Sequence, residues 1–159
     1  MPLQDLDSVT RRAHLDLGNY LPYLINRVGS ALVSTFFQDE LARHRLSIAM
    51  WRVLAALSNN GEQRQIDLAA MTSIEASTLS RLVTRLIRMG LVTRSRSKTS
   101  SREVLVELAP QGRALVRRLI PAAEELERTA IAGLPAKDLA VVKNALRKMY
   151  ENMEGGPPV

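Results

Sequence analysis

Residues 77–102 read STLSRLVTRLIRMGLVTRSRSKTSSR and hold seven basic side chains with no acid among them. The chain of 159 residues carries 22 Lys and Arg against 16 Asp and Glu, so outside this stretch the balance is 15 to 16. The excess charge is local, and its chemistry is that of guanidinium groups beside small hydroxyls. Arg forks onto guanine O6 and N7 or binds phosphate, while Ser and Thr are short enough to let a helix enter a groove. At the helical turn of about 100° per residue, Ser77, Arg81, Thr84, Arg85 and Arg88 fall on one side and Leu79, Leu82, Val83 and Leu86 on the other. Thr78 and Ser80 complete the candidate polar surface. Taken alone, such a helix reads more simply as a solvated basic face. A second basic element, Arg94, Arg96, Lys98 and Arg102, follows at once, and the pair together points to a polyanion, with double-stranded DNA as the best fit.

Other chemistries have less behind them. Without cysteine the chain has no disulfide or thiolate metal site, and His14 and His44 are the only histidines, so neither a metal nor a cofactor is expected. No Gly-rich phosphate loop or metal-ligand spacing occurs, and nothing brings Ser, His and Asp together, so no catalytic residues are assigned. Tyr20, Tyr23 and Arg27 recur at i, i+3 and i+7, which places two rings and one cation along one face. That set suits a small aromatic carboxylate; the plainer alternative is a subunit contact with Arg27 in an ion pair. His14 lies close enough in sequence to join it. Apolar runs are broken well before the ~20 residues of a membrane span, and the first residues have no signal-peptide pattern, so a cytoplasmic protein is expected.

The elements that must position these groups follow from periodicity. A long helix is expected over 20–43, with Pro22 tolerated in its first turn, and a second over 48–57 capped by Ser47. A short helix at 65–71 and the tight polar break Thr72-Ser73-Ile74-Glu75 precede the basic helix at 76–89, which Gly90 ends. The period then changes from helical to alternating: Leu91 to Arg94 and Glu103 to Leu108 form a hairpin with a charged tip. Pro110 opens a helix reaching about residue 133 that Pro121 should kink or split, and a last helix covers 136–153. With 46% hydrophobic residues the chain can bury a core. It reads as one mainly α domain: a compact module at 46–110, helices at 1–45 and 111–153 around it, and a disordered tail at 154–159.

In this order and spacing the chain resembles the MarR transcriptional regulators. The resemblance rests on Trp51-Arg52-Val53-Leu54, Leu68-Ala69, the run Ser77 to Leu86, Gly90-Leu91-Val92, and Val104 to Leu108 before Gly112. It implies a winged helix-turn-helix at 46–110, with the flanking helices building a homodimer. The segment from Asp16 to Tyr23 resembles the branch controlling aromatic-acid catabolism. Three departures stand out. Ser100-Ser101-Arg102 replaces the wing's usual Asp-x-Arg, Ala109 stands where a capping Thr is common, and Ser73 occupies a turn position often held by Gly, which a serine suits at negative φ.

The expected function is therefore that of a homodimeric repressor on an imperfect palindromic operator, released by an aromatic carboxylate or its thioester. Effector-independent architectural DNA binding and a protein-binding winged-helix adaptor are the alternatives.

Overall fold

The computed structural model describes residues 15–98, 100 and 102–154. Helix α1 (Leu21–Phe36) does not continue regularly to residue 43: a wider π turn (Phe37–Leu41) and a 3-10 turn (Ala42–His44) follow, closed by Arg45 at φ 57°. The change of pitch has a packing reason. Phe36 and Leu41, five residues apart, and then Leu46 are all buried, which one uninterrupted α-helix would not achieve. α2 (Ile48–Asn60) begins where expected, with the Ser47 hydroxyl accepting from the Met50 amide at 3.2 Å, and runs three residues further, to Asn60, where Gly61 at φ 73° closes it.

A two-residue strand, β1 (Gln63–Arg64), precedes α3 (Gln65–Thr72) and had no signature in the alternation pattern. The turn into α4 (Ala76–Arg88) corrects one expectation: Ser73 adopts φ +53°, not a negative value. Its amide bonds the Ala70 carbonyl at 3.3 Å and the Ile74 amide bonds the Ala69 carbonyl at 3.1 Å, so the carbonyls ending α3 are satisfied only by a left-handed residue. Gly90, at φ +72°, ends α4 in the same way.

Strands β2 (Val92–Arg96) and β3 (Val104–Leu108) pair antiparallel, Arg94 opposite Val106, and β1 adds to the other edge of β3 through Gln63–Val106 and Arg64–Leu105. The sheet order is β1-β3-β2. α5 (Pro110–Ala130) is one helix running through Pro121, so of the expected kink or split, the split does not occur. Pro121 is exposed, and water can replace the donor it lacks. Ala109 precedes α5 without a side-chain cap, as its lack of a hydroxyl requires. Gly112 is fixed by sterics: a Cβ there would stand 2.0 Å from the Leu91 carbonyl oxygen.

The core is centred on the middle block, where Met50, Val53, Leu54, Leu68, Leu79, Val83, Leu86 and Val106 are fully buried, and the flanking elements add Leu41 and Leu119. α6 (Ala136–Glu154) buries nothing and exposes Val141, Val142, Leu146 and Met153. α1 likewise exposes Leu21, Leu24, Ile25, Val28 and Val33. Of the expected tail, Glu154 closes α6 and the rest lies outside the described residues.

Candidate DNA-binding surface

α4 is held from beneath by Leu79, Val83 and Leu86, each fully buried, with Leu82 half-buried. That anchoring turns Ser77, Arg81, Arg85 and Arg88 outward. Its first turn is capped by Glu75, whose carboxylate accepts from the Ser77 amide at 2.9 Å, the Thr78 amide at 3.0 Å and the Ser77 hydroxyl. The Ser77 hydroxyl, followed by these two amides, holds the Glu75 carboxyl down at a pKa of about 2. The sequence reading placed Glu75 in the polar break, and glutamate is not among the usual Ser, Thr, Asp and Asn caps. The signal available was an acid directly before Ala-Ser-Thr, where the helix dipole favours one.

The polar side chains of α4 divide by environment. Ser80 and Thr84 are half-buried, and the Thr84 hydroxyl donates to the Ser80 carbonyl at 2.9 Å. Arg94, from β2, sends Nη2 to that same carbonyl at 3.2 Å and to Thr84 Oγ1 at 3.4 Å. These three residues thus tie the wing to the helix. Arg81 reaches back to Thr78 Oγ1 at 3.3 Å while remaining exposed, so its other donors face outward along with those of Arg85 and Arg88.

The wing continues the same basic surface. Arg96, Lys98 and Arg102 are exposed around the tip, which closes through Ser97 N–H to the Glu103 carbonyl at 3.0 Å and Glu103 N–H to the Ser100 carbonyl at 3.1 Å. One helix with outward arginines, braced to a hairpin carrying three more cations, is a surface for a phosphate backbone and the bases between its strands. Among the described residues no group of His, Cys, Asp or Glu is placed to hold a metal, and no helix is long and apolar enough to cross a membrane.

The second candidate set lies apart from this surface. Tyr20 immediately precedes α1, and Tyr23 and Arg27 lie on it, with the Arg27 guanidinium carbon 5.8 Å from the Tyr23 ring centroid. Tyr20 and Tyr23 are 41% and 36% exposed, open enough for a ligand or a second chain to cover. His14 is outside the described residues. A hollow of about 440 Å³ lies elsewhere, lined by Trp51, Arg52, Ala55, Ala56, Met71, Thr72 and Ser73. It was not read from the sequence, since its walls come from α2 and the end of α3.

The model of the MarR family matches residues 46–104, the module that carries the surface. The HTH-type transcriptional repressor NicR of Pseudomonas putida is 29% identical over 121 residues, 76% of this chain and 77% of that protein. Among solved structures, Bordetella bronchiseptica BpsR, described for the regulation of its DNA binding by 6-hydroxynicotinic acid, is 31% identical. It aligns over 81% of this chain and 97% of its own at a TM-score of 0.72. A MarR family transcriptional regulator from Silicibacter pomeroyi is also 31% identical, covering 87% of this chain and 92% of its own at a TM-score of 0.78. Neither the architectural nor the adaptor alternative gains support from these relatives. A braced recognition helix and basic wing, in a chain alike over most of its length to such regulators, leave one conclusion: the chain belongs to the MarR family and is a DNA-binding transcriptional regulator.

Proposed function

We propose that this regulator is a homodimeric repressor that leaves an imperfect palindromic operator when a small aromatic carboxylate, free or as a thioester, binds at its dimer base. The observation that carries the effector class is the Arg27 guanidinium stacked 5.8 Å from the Tyr23 ring, with Tyr20 one turn away. A planar anion can lie against a ring and pair its carboxylate with the guanidinium. 6-Hydroxynicotinic acid, the compound named with BpsR, has this chemistry.

The dimer follows from the apolar faces of α1 and α6, which the chain's own core leaves uncovered. Pairing them across a two-fold axis would direct both copies of α4 to one side of the duplex, with half-site centres about 10 base pairs apart. Arg81 and Arg85 are assigned to base edges in the major groove, Ser77, Thr78 and Arg88 to its walls, and Arg96, Lys98 and Arg102 to the flanking backbone and minor groove. We read it as a cytoplasmic protein, since its target is DNA.

Release needs no covalent chemistry. A ligand that favours a dimer geometry with misplaced recognition helices lowers DNA affinity by its differential affinity, and about 100-fold release requires about 2.7 kcal/mol. The test is a titration of the protein on a duplex it has selected from a random pool, with 6-hydroxynicotinic acid and other aromatic acids as competitors. Arg27→Ala should bind the duplex as wild type does yet need more acid for release. Equal calorimetric affinity of mutant and wild type for a releasing acid would make Arg27 an interface residue only.

A further inference from the structure

Arg64 stands at a position where arginine is a poor choice for the helix it precedes. It is the residue before α3, makes no side-chain cap, and sets a cation against the positive end of the helix dipole. Its side chain is committed elsewhere. Nε and Nη2 donate to the two oxygens of Asp67 at 2.5 and 3.0 Å, and Nη1 donates to Glu103 Oε1 at 3.3 Å. Asp67 belongs to α3, whereas Glu103 is the last residue before β3, adjacent to Arg102.

Backbone geometry makes this bridge consequential. Arg64 pairs with Leu105 across β1 and β3, so Glu103, two residues before Leu105 and just ahead of β3, is its diagonal neighbour. Glu103 also closes the wing tip through its own amide and carbonyl. The one cation therefore ties the returning limb of the wing to the helix-turn-helix, just where Arg102 leaves the sheet. The three side chains are only partly covered, at 49%, 36% and 37% exposure. Single exposed ion pairs contribute little to stability, but a bidentate arginine shared by two carboxylates is the arrangement in which geometry is held.

We infer that Arg64 is a positioning residue for the wing arginine: by fixing Glu103 to α3 it orients Arg102 toward the DNA, the role for which the wing has no acid two residues before Arg102. This inference rests on the assignment of Arg102 to the operator flank. It also gives the charge of Glu103 a purpose in a wing that is otherwise basic, because the carboxylate is neutralised at its point of anchorage.

The experiment measures, by fluorescence anisotropy, affinity for a duplex selected from a random pool, for Arg64→Ala, Glu103→Gln and Arg102→Ala and for each of the first two combined with the third. Arg64→Ala and Glu103→Gln should each weaken binding by up to about fivefold, the most an exposed pair supplies, and neither should weaken it further in the Arg102→Ala background. Arg64→Lys, which keeps the charge without the fork, should recover only part of the loss. An equal loss with and without Arg102 would overturn the inference, as would Glu103→Gln binding as tightly as wild type. Should Arg102→Ala itself bind like wild type, the wing contact falls, and the positioning role with it. Glu103→Gln carries the test alone if Arg64→Ala fails to fold.

Discussion

The hydroxyls of Ser73 and Tyr150 lie 2.9 Å apart, joining the turn between α3 and α4 to the exposed helix α6 across 77 positions of sequence. None of the residues of α6 is buried; among the described residues this contact ties it to the DNA-binding module, and the Lys143–Glu127 pair at 2.7 Å ties it to α5. Ser73 makes the contact from a left-handed conformation that glycine adopts at less cost.

The two effects at Ser73 oppose each other and can be separated. Ser73→Gly relieves the left-handed backbone and loses the hydroxyl bond, whereas Tyr150→Phe loses only the bond. In the Tyr150→Phe background Ser73→Gly should raise stability by about 0.5–1 kcal/mol in urea denaturation, and by less in the wild-type background. An equal effect in both backgrounds would mean that the hydroxyl contact contributes nothing.

Glu75 predicts a pH dependence with a definite sign. Its carboxyl is lowered from 4.5 to about 2 in the folded chain, chiefly by the Ser77 hydroxyl and then by the Ser77 and Thr78 amides. A depressed carboxylate stabilises above its unfolded pKa, and that stability is lost as pH falls from 4.5 toward 2. Glu75→Gln should therefore melt below wild type at neutral pH, with the two midpoints converging as the solution is acidified through this window. A gap that stays constant with pH would show that the charge on Glu75 is not what caps α4.

Gly112 should tolerate no side chain. The obstacle to a Cβ is the Leu91 carbonyl, a backbone atom 2.0 Å away, and moving it would disturb the start of β2 and the Ala109 amide bonded to that carbonyl at 3.0 Å. Gly112→Ala should cost about 3 kcal/mol, the upper end for overpacking, in equilibrium unfolding. A cost under about 1 kcal/mol would mean that α5 can shift freely against the wing.

Much of this was legible in the sequence because its signals are local. The apolar spacing of Leu79, Val83 and Leu86 gave α4 its buried face, Ser47 gave the start of α2, and Gly90 the end of α4. What escaped depends on partners distant in sequence. Strand β1 is two residues long and exists only because β3 lies beside it, and Arg64 looks like an isolated cation until Glu103, 39 residues on, is folded against it. The pitch change after Phe36 has the same origin, since only the assembled core demands that Leu41 and Leu46 both point inward. Arg94 read as one more cation of the wing, and only the fold shows it reaching the Ser80 carbonyl.

The most direct test of the surface as a whole is the salt dependence of binding to the selected duplex, compared between wild type and the pair Arg81→Ala with Arg102→Ala. Each phosphate neutralised releases counterions and adds about 0.9 to the slope of log affinity against log salt, while each base-edge fork adds about 1–3 kcal/mol of discrimination. Wild type is expected to show a steep slope, with affinity and sequence preference both reduced in the double variant. A double variant that matches wild type in affinity, slope and preference would contradict it.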